Sequence, residues 1–296
     1  MGSQWLWNNS YYISLGIHTS AGNTRKHGKM NSRSSRIAFI LASSAHGPLI
    51  LNRLDYHTAG SHTYGVGIQI LEHAAFDPAE VNQTRTLLAL RRKYRGDGVV
   101  AVDCGANIGV HTIEWSRQMN GWGSVIAIEA QERVFYALAG NIAVNNCFNA
   151  RAIHAVVSSK AGTMRIPALN HQEPASFGSL ELVKRNGSEQ IGQAIDYSEA
   201  ASVDTPMITL DSLALARCDL IKIDVEGMEA SVLDGAAHTI ERHHPIIHAE
   251  SIKTDAGELK SRLAAIGYRT FDVGQNCLAI HSSHPSLSHV EPRPQT

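Results

Sequence analysis

Apolar residues follow two rhythms along this chain, and the change from one to the other organises it. From residue 98 onward, short and nearly continuous apolar runs alternate with stretches whose apolar positions recur every three or four residues. The runs at 99–103, 124–129, 150–157, 220–224 and 245–250 read as strands, and 110–119, 132–145, 229–242 and 256–266 read as helices. Strands apolar on both faces and separated by helices predict a parallel sheet covered on both sides. Two last runs, 268–273 and 277–281, flank Gly274-Gln275-Asn276 and predict a hairpin. One strand must then run antiparallel. The expected fold is α/β with a mixed sheet over 97–284.

The flanks read differently. Residues 37–42, 48–52 and 64–70 suggest short strands broken by turn residues, within an N-terminal extension over 37–96. A helix should start at Asp77-Pro78-Ala79-Glu80 and run to about residue 95, with Asp77 as cap and Pro78 in the first helical position. Residues 1–36 read as a disordered, solvated leader in which Met30 could be an alternative start, and 285–296 as a flexible tail. The stretch 163–216 interrupts the rhythm, with possible strands at 164–167, 176–183 and 207–210. It would lie at the carboxyl edge of the sheet, as a substrate lid or as a structural loop.

Composition narrows the possibilities. Hydrophobic residues make up 43% and charged residues 18% of 296, which excludes collagen-like, coiled-coil and wholly disordered chains. Lys plus Arg (26) against Asp plus Glu (27) leaves a net charge of −1. So balanced a chain has no global field to collect polyanions, and no nucleic-acid partner is expected. Cys104, Cys147, Cys218 and Cys277 form no CxxC pair, so neither a thiolate zinc site nor a redox motif is indicated. Reduced thiols in a cytoplasmic protein are the expectation. No run approaches the roughly 18 apolar residues of a membrane span, and no secretory signal pattern is visible. The histidines form no HExxH motif, and no metal is expected.

The first chemical motif follows the first core strand. Asp103 ends the strand, Gly105 and Gly109 stand four apart, and a helix follows. Glycines there allow a tight turn and close backbone approach to a ligand at the helix N-terminus. Asn107 occupies the place of the second glycine of a dinucleotide GxGxxG loop. Asp103 disfavours a pyrophosphate and favours a cation such as an ammonium or a sulfonium. Glu129, at the end of the second strand, suits both hydroxyls of a ribose. Val157 and Ser158, ending the third strand, are either adenine neighbours or an apolar end with a capping serine.

The second motif is Lys222-Ile223-Asp224-Val225-Glu226-Gly227. Lys222 and Asp224 share a strand face, and a buried lysine needs a partner, for which Glu250 is the expected one. Asp224 and Glu226 could position a substrate hydroxyl and take its proton, or hold a divalent cation, or Glu226 could support the helix start. Glu229 and His111 are expected on helix surfaces, and Arg91, Arg92, Lys93 and Arg95 at a solvated helix end.

In the stretches VDCGANIGVHT, VIAIEA, NIAVNN, ITLDSL, LIKIDVEGMEASVLDGA and PIIHAES, residues 97–281 resemble the FkbM family of S-adenosylmethionine-dependent methyltransferases. The resemblance implies the Rossmann-like class I methyltransferase fold, a seven-stranded sheet with its last strand antiparallel. It implies S-adenosyl-L-methionine as cofactor, with Asp103, Gly105, Asn107, Gly109 and Glu129 lining its site and the Asp224–Gly227 stretch beside the substrate. It also implies O-methylation of hydroxyls on sugars or natural products. The expected partner is a small-molecule or glycan acceptor, and a homodimer stays open. The Asn/Asp-Pro-Pro-aromatic loop of enzymes that methylate base amino groups is missing, which counts against a nucleic-acid methylase. A cofactor-binding partner without catalysis and a nucleotide-cofactor oxidoreductase are the competing readings.

Overall fold

The computed structural model describes residues 37–290, so the proposed leader, Met30 and the last six residues lie outside the described residues. The extension begins with the hairpin β1 (Phe39–Ser44) and β2 (Gly47–Asn52), then the short pair β3 (His57–Ala59) and β4 (His62–Tyr64). Helices α1 (Val66–His73) and α2 (Pro78–Arg95) follow. The alternating unit comprises β5 (Val99–Cys104), α3 (Val110–Gln118), β6 (Gly123–Glu129), α4 (Glu132–Val144) and β7 (Ala150–His154). Next come β8 (Val156–Val157), β9 (Gly162–Pro167) and β10 (Ser202–Ile208). The chain closes with β11 (Leu220–Ile223), α5 (Glu229–Asp234), α6 (Ala237–His243), β12 (Ile246–Glu250), α7 (Ala256–Ala265), β13 (Tyr268–Val273) and β14 (Asn276–His281).

Seven strands form the main sheet in the order β13-β14-β12-β11-β5-β6-β7. β14 runs antiparallel to both its neighbours and the remaining pairings are parallel. The pattern of the runs predicts a mixed sheet, and the resemblance implies these seven strands with the last antiparallel. The strand order reverses between β5 and β11, and that switch point opens a crevice at their carboxyl ends. Alternate residues face opposite layers. Val102, Ile221 and Ile247 pack toward Val232, Ile240, Leu259 and Leu263, while Ala101, Leu220 and Ile246 pack with Leu87, Leu88 and Trp115.

The extension is part of this core. Asn141 of α4 ties the β1–β2 hairpin down, accepting from Ile50 N (2.6 Å) and donating to Ile50 O (3.0 Å). Residues 64–70, read as a strand, are mostly helix α1. Val66 and Ile70, four apart, are buried, a spacing that also satisfies a strand's alternation. Asp55 decides between the two. Its Oδ2 accepts from Gly67 N (3.0 Å) in the first turn, while Gly65 takes a positive φ that brings it against the Asp55 backbone.

Helix α2 starts as expected, with Asp77 accepting from Glu80 N (3.3 Å). Asp77→Ala should therefore cost about 1–2 kcal/mol in denaturant unfolding, and no change would show the cap contributes nothing. Of the basic cluster, Arg91 departs from expectation. It is buried, with Nε 3.2 Å from Asp219 Oδ1, because it faces the sheet one turn before the solvated end.

Other expectations are corrected by the packing. The run 150–157 breaks at Ala155. Its partner β6 ends at Glu129, so β8 leaves the sheet and pairs with β10, which also pairs with β9. Residues 176–183 form a 3₁₀ turn at Phe177–Ser179 and extended coil rather than a strand, with Phe177 and Leu180 buried. The helix expected at 229–242 is two helices parted at Gly235, whose missing Cβ admits the Ser158 carbonyl. Pro285–His289 is a 3₁₀ turn with Ser286 buried, not a free tail.

Candidate active site

A cavity of about 510 Å³ opens at the carboxyl ends of β5, β6, β11 and β12, within the size range of small-molecule sites. Asp103, Gly105, Asn107, Glu129, Val157, Asp224 and Glu226 all line it, as do Ser179, Leu180 and Glu189 of the 163–216 insertion. Gly109 and Ser158 do not. Gly109 starts α3 at φ +92°, and a Cβ on it would meet Leu138 Cδ1 at 2.6 Å, so its role is close packing on α4. Ser158 N donates to Ile208 O (2.9 Å) beside Gly235, away from the cavity.

One half of the cavity is built on β5 and β6. Gly105 has φ +77°, and a Cβ there would overlap the Asp224 carbonyl oxygen. Only glycine lets the loop after β5 pass so close to the loop after β11. Asn107 is also left-handed (φ +51°), and its Oδ1 accepts from Ile108 N at 2.7 Å. Glu129 accepts from Asn107 N (3.0 Å) on one oxygen and from Gln131 N (2.8 Å) on the other. A carboxylate has about four lone-pair sites, so two remain for a ligand. Burial pushes the Glu129 carboxyl up to about 7, against those amides. Asp103 accepts from Thr112 Oγ1 (2.7 Å), and burial likewise raises it, opposed by the Lys222 ammonium. Ala155, Val156, Val157, Leu180 and Leu182 supply an apolar wall.

The other half gathers charges from four segments. Lys222 does not pair with Glu250. Its Nζ lies 2.7 Å from Asp224 Oδ2 and 4.0 Å from Glu80 Oε1, since Asp224 is the next residue on the same strand face. Burial works against the Lys222 ammonium, but Asp224, Glu80 and Asp103 outweigh it and hold it protonated. Glu226 adopts φ +56° and pairs with Lys253. Lys253 Nζ also lies 2.8 Å from Glu189 Oε2, and Glu189 Oε1 accepts from Tyr64 Oη (2.7 Å). The insertion is thus fastened to the cavity rim by a charged chain through the extension, the insertion and the loop after β12.

Glu229, expected at the surface, is 1% exposed, and its Oε1 accepts from Gly227 N at 3.0 Å. It reaches back to the loop amides in the manner of a capping box and fixes the Asp224–Gly227 turn. His111 is also buried. It lines the cavity with Nε2 3.4 Å from Glu80 Oε1, outside hydrogen-bond geometry. Burial and the nearby Lys222 charge hold it well below the usual histidine range, so it is neutral. Tyr64, Glu189 and Lys253 join this site without any signal in the sequence, and Glu250 is expected from it only as a lysine partner. A strand-end acid was the one available signal, for Glu250.

Residues 103–270, more than half of the chain, match the family model described as the methyltransferase FkbM domain. The chain belongs to the FkbM methyltransferase family. Methyltransferase sdnD of Sordaria araneosa is 27% identical over 174 residues, 52% of this chain and 65% of that protein. The chain therefore spans slightly less than two thirds of that relative. Among solved structures, methyltransferase FkbM from Methylobacillus flagellatus KT is 18% identical, with a TM-score of 0.44, over 62% of this chain and 43% of that one. Precorrin-6y C5,15-methyltransferase from Geobacter metallireducens GS-15 is 15% identical, with a TM-score of 0.40, over 77% of this chain and 94% of that one. In this FkbM member no helix among the described residues is long and apolar enough to cross a membrane.

Proposed function

We propose that the chain transfers a methyl group from S-adenosyl-L-methionine to a hydroxyl of a sugar, glycan or small natural product. The observation that carries this reading is the pairing of Asp103 and Glu129, acids at adjacent strand ends on either side of the Gly105 turn. A cavity wall of two carboxylates suits a ligand with a positive centre and a vicinal diol, and repels a pyrophosphate. The residues fit such a ligand. Glu129 keeps two lone-pair sites for a diol, Gly105 lets backbone replace side chain at the turn, and the Val156–Val157 wall suits a flat base. S-adenosylmethionine, when bound, supplies a methyl carbon activated by a positively charged sulfur.

The chain's own residues would then hold and orient the acceptor. Asp224 and Glu226 line its half of the cavity, within reach of a hydroxyl beside the Gly105 turn. Lys222 pairs with Asp224 there and Lys253 with Glu226 and Glu189, while burial and the Asp224 charge hold Glu226 and Glu250 well above the usual carboxylate range. A half-cavity of paired charges and neutral carboxyls suits an uncharged polyol. The insertion covers this half and would exclude water while the groups align. Four buried, unbridged thiols fit a reducing compartment, and we take the cytoplasm as the place of action.

Calorimetry should give micromolar-range binding of S-adenosylmethionine and S-adenosylhomocysteine and none of NAD. Binding of neither nucleoside would sink the reading. Mass spectrometry of glycans and small metabolites from cells with and without the gene should then show an acceptor lacking one methylene.

A further inference from the structure

Among the described residues, Glu250 is the one acid of this half of the cavity that no ammonium holds. Oxygens of Asp224, Glu226 and Glu250 lie within 4.8 Å of one another. Two ammonium groups serve these three acids: Lys222 holds Asp224 at 2.7 Å, and Lys253 holds Glu226. Glu250 ends β12 and lines the same cavity, and among the described residues its Oε2 has no hydrogen-bond partner.

Resting on the methyl-transfer reading, we propose that Glu250 is the carboxylate that takes the acceptor's proton, while Asp224 and Glu226, held by their lysines, position the hydroxyl. A carboxylate bound to an ammonium must break that pair before it can accept a proton. Glu250 has no such pair to break. The charged groups around it are Asp224 and Glu226 from the loop after β11, Glu229 of α5, Lys222 of β11 and Lys253 from the loop after β12. Its register neighbour on β14 is the uncharged Asn276. Burial and the Asp224 charge hold Glu250 and Glu226 alike well above the usual carboxylate range, so what separates them is the Lys253 pair that Glu226 makes and Glu250 lacks.

The step balances. The acceptor O–H gives its proton to a Glu250 oxygen as the acceptor oxygen forms a bond to the methyl carbon. The carbon–sulfur bond breaks with its electron pair remaining on sulfur. The products are a methyl ether, S-adenosylhomocysteine and a neutral Glu250 carboxyl, which returns its proton to solvent.

The test uses the full chain, methyl-labelled S-adenosylmethionine, and a deproteinised extract of cells lacking the gene as acceptor source. Glu250→Gln should lower label transfer by about 100-fold or more, the usual worth of a general base. Its S-adenosylhomocysteine affinity, measured by calorimetry, should stay within about threefold of the parent, which shows that the variant folds. The parent's rate should rise with pH through the neutral to alkaline range, and Glu250→Gln should lose that limb while Glu226→Gln keeps it. Carbon-13 NMR should show a side-chain carboxyl resonance, absent from Glu250→Gln, that titrates well above the usual carboxylate range. A Glu250→Gln protein that transfers label within about tenfold of the parent, or that keeps the pH limb, overturns the proposal. A resonance titrating in the ordinary range overturns it too. A parent protein that binds neither nucleoside, or binds but transfers nothing, removes the methyl-transfer reading and this proposal together.

Discussion

Gly105→Ala is expected to abolish measurable binding of S-adenosylhomocysteine, a loss beyond about 1,000-fold or 4 kcal/mol, and to lower stability by several kcal/mol. Two costs add. A side chain at φ +77° carries a backbone penalty of about 1–2 kcal/mol. The new Cβ also overlaps the Asp224 carbonyl, which cannot retreat freely because Asp224 N is bonded to Cys104 O at 3.0 Å. The loops after β5 and β11 must therefore part, and both halves of the cavity move. Gly96→Ala supplies the control. Gly96 has φ +71°, but no described atom lies within 4 Å of an added Cβ, so it should show the backbone penalty alone and bind normally. Thermal unfolding and calorimetry on the two variants separate strain from overlap. If Gly105→Ala binds within about tenfold of the parent, the loop is not a cofactor cradle.

The same glycine shows what the sequence can and cannot carry. Gly105 and Gly109 look equivalent in the motif, and both take positive φ, yet one faces the cavity and the other packs on Leu138. Local pattern specifies the backbone; only the tertiary neighbour specifies the use. The sheet was legible because its strands are apolar on both faces, and the acids Asp103, Glu129 and Asp224 stood out against those runs. Residues 64–70 misled because Val66 and Ile70 satisfy a strand's period and a helix's alike, and the deciding partner, Asp55, lies outside the run. Glu229 misled because first-turn acids are ordinarily solvated, whereas here the side chain returns to the Gly227 amide. Tyr64, Glu189 and Lys253 could not be read at all. They lie on three segments far apart in sequence, and nothing local to any one of them signals the chain they form.

Glu129→Gln is expected to weaken S-adenosylhomocysteine binding by about two to four orders of magnitude, while removing a pH-dependent cost to the fold. The binding loss follows from two charge-assisted hydrogen bonds at about 1.5–3 kcal/mol each. The amide has one oxygen, already needed by Asn107 N or Gln131 N, and its NH₂ would face the other donor. The stability term has the opposite sign to that of a salt-bridged acid. Burial raises Glu129 from 4.5 to about 7, so the folded chain holds this proton more tightly than the unfolded one. The contribution is fully present below the unfolded value and is lost as pH rises through about 7, a fall of about 3 kcal/mol at 1.36 kcal/mol per unit. Denaturant unfolding of both proteins between about pH 5 and pH 8 should move their stability difference by about 2.5 kcal/mol of that in the variant's favour, whatever the fixed cost of the mismatched amide. Other buried acids titrate equally in both proteins and cancel. The ligand follows the same proton. A diol donates to the ionised form, so parent affinity should fall about tenfold per unit below pH 7, and the variant should lose that Glu129 slope, keeping only what Asp103 contributes. Equal slopes in the two proteins would mean that Glu129 keeps its charge on folding and that this carboxylate does not meet the diol.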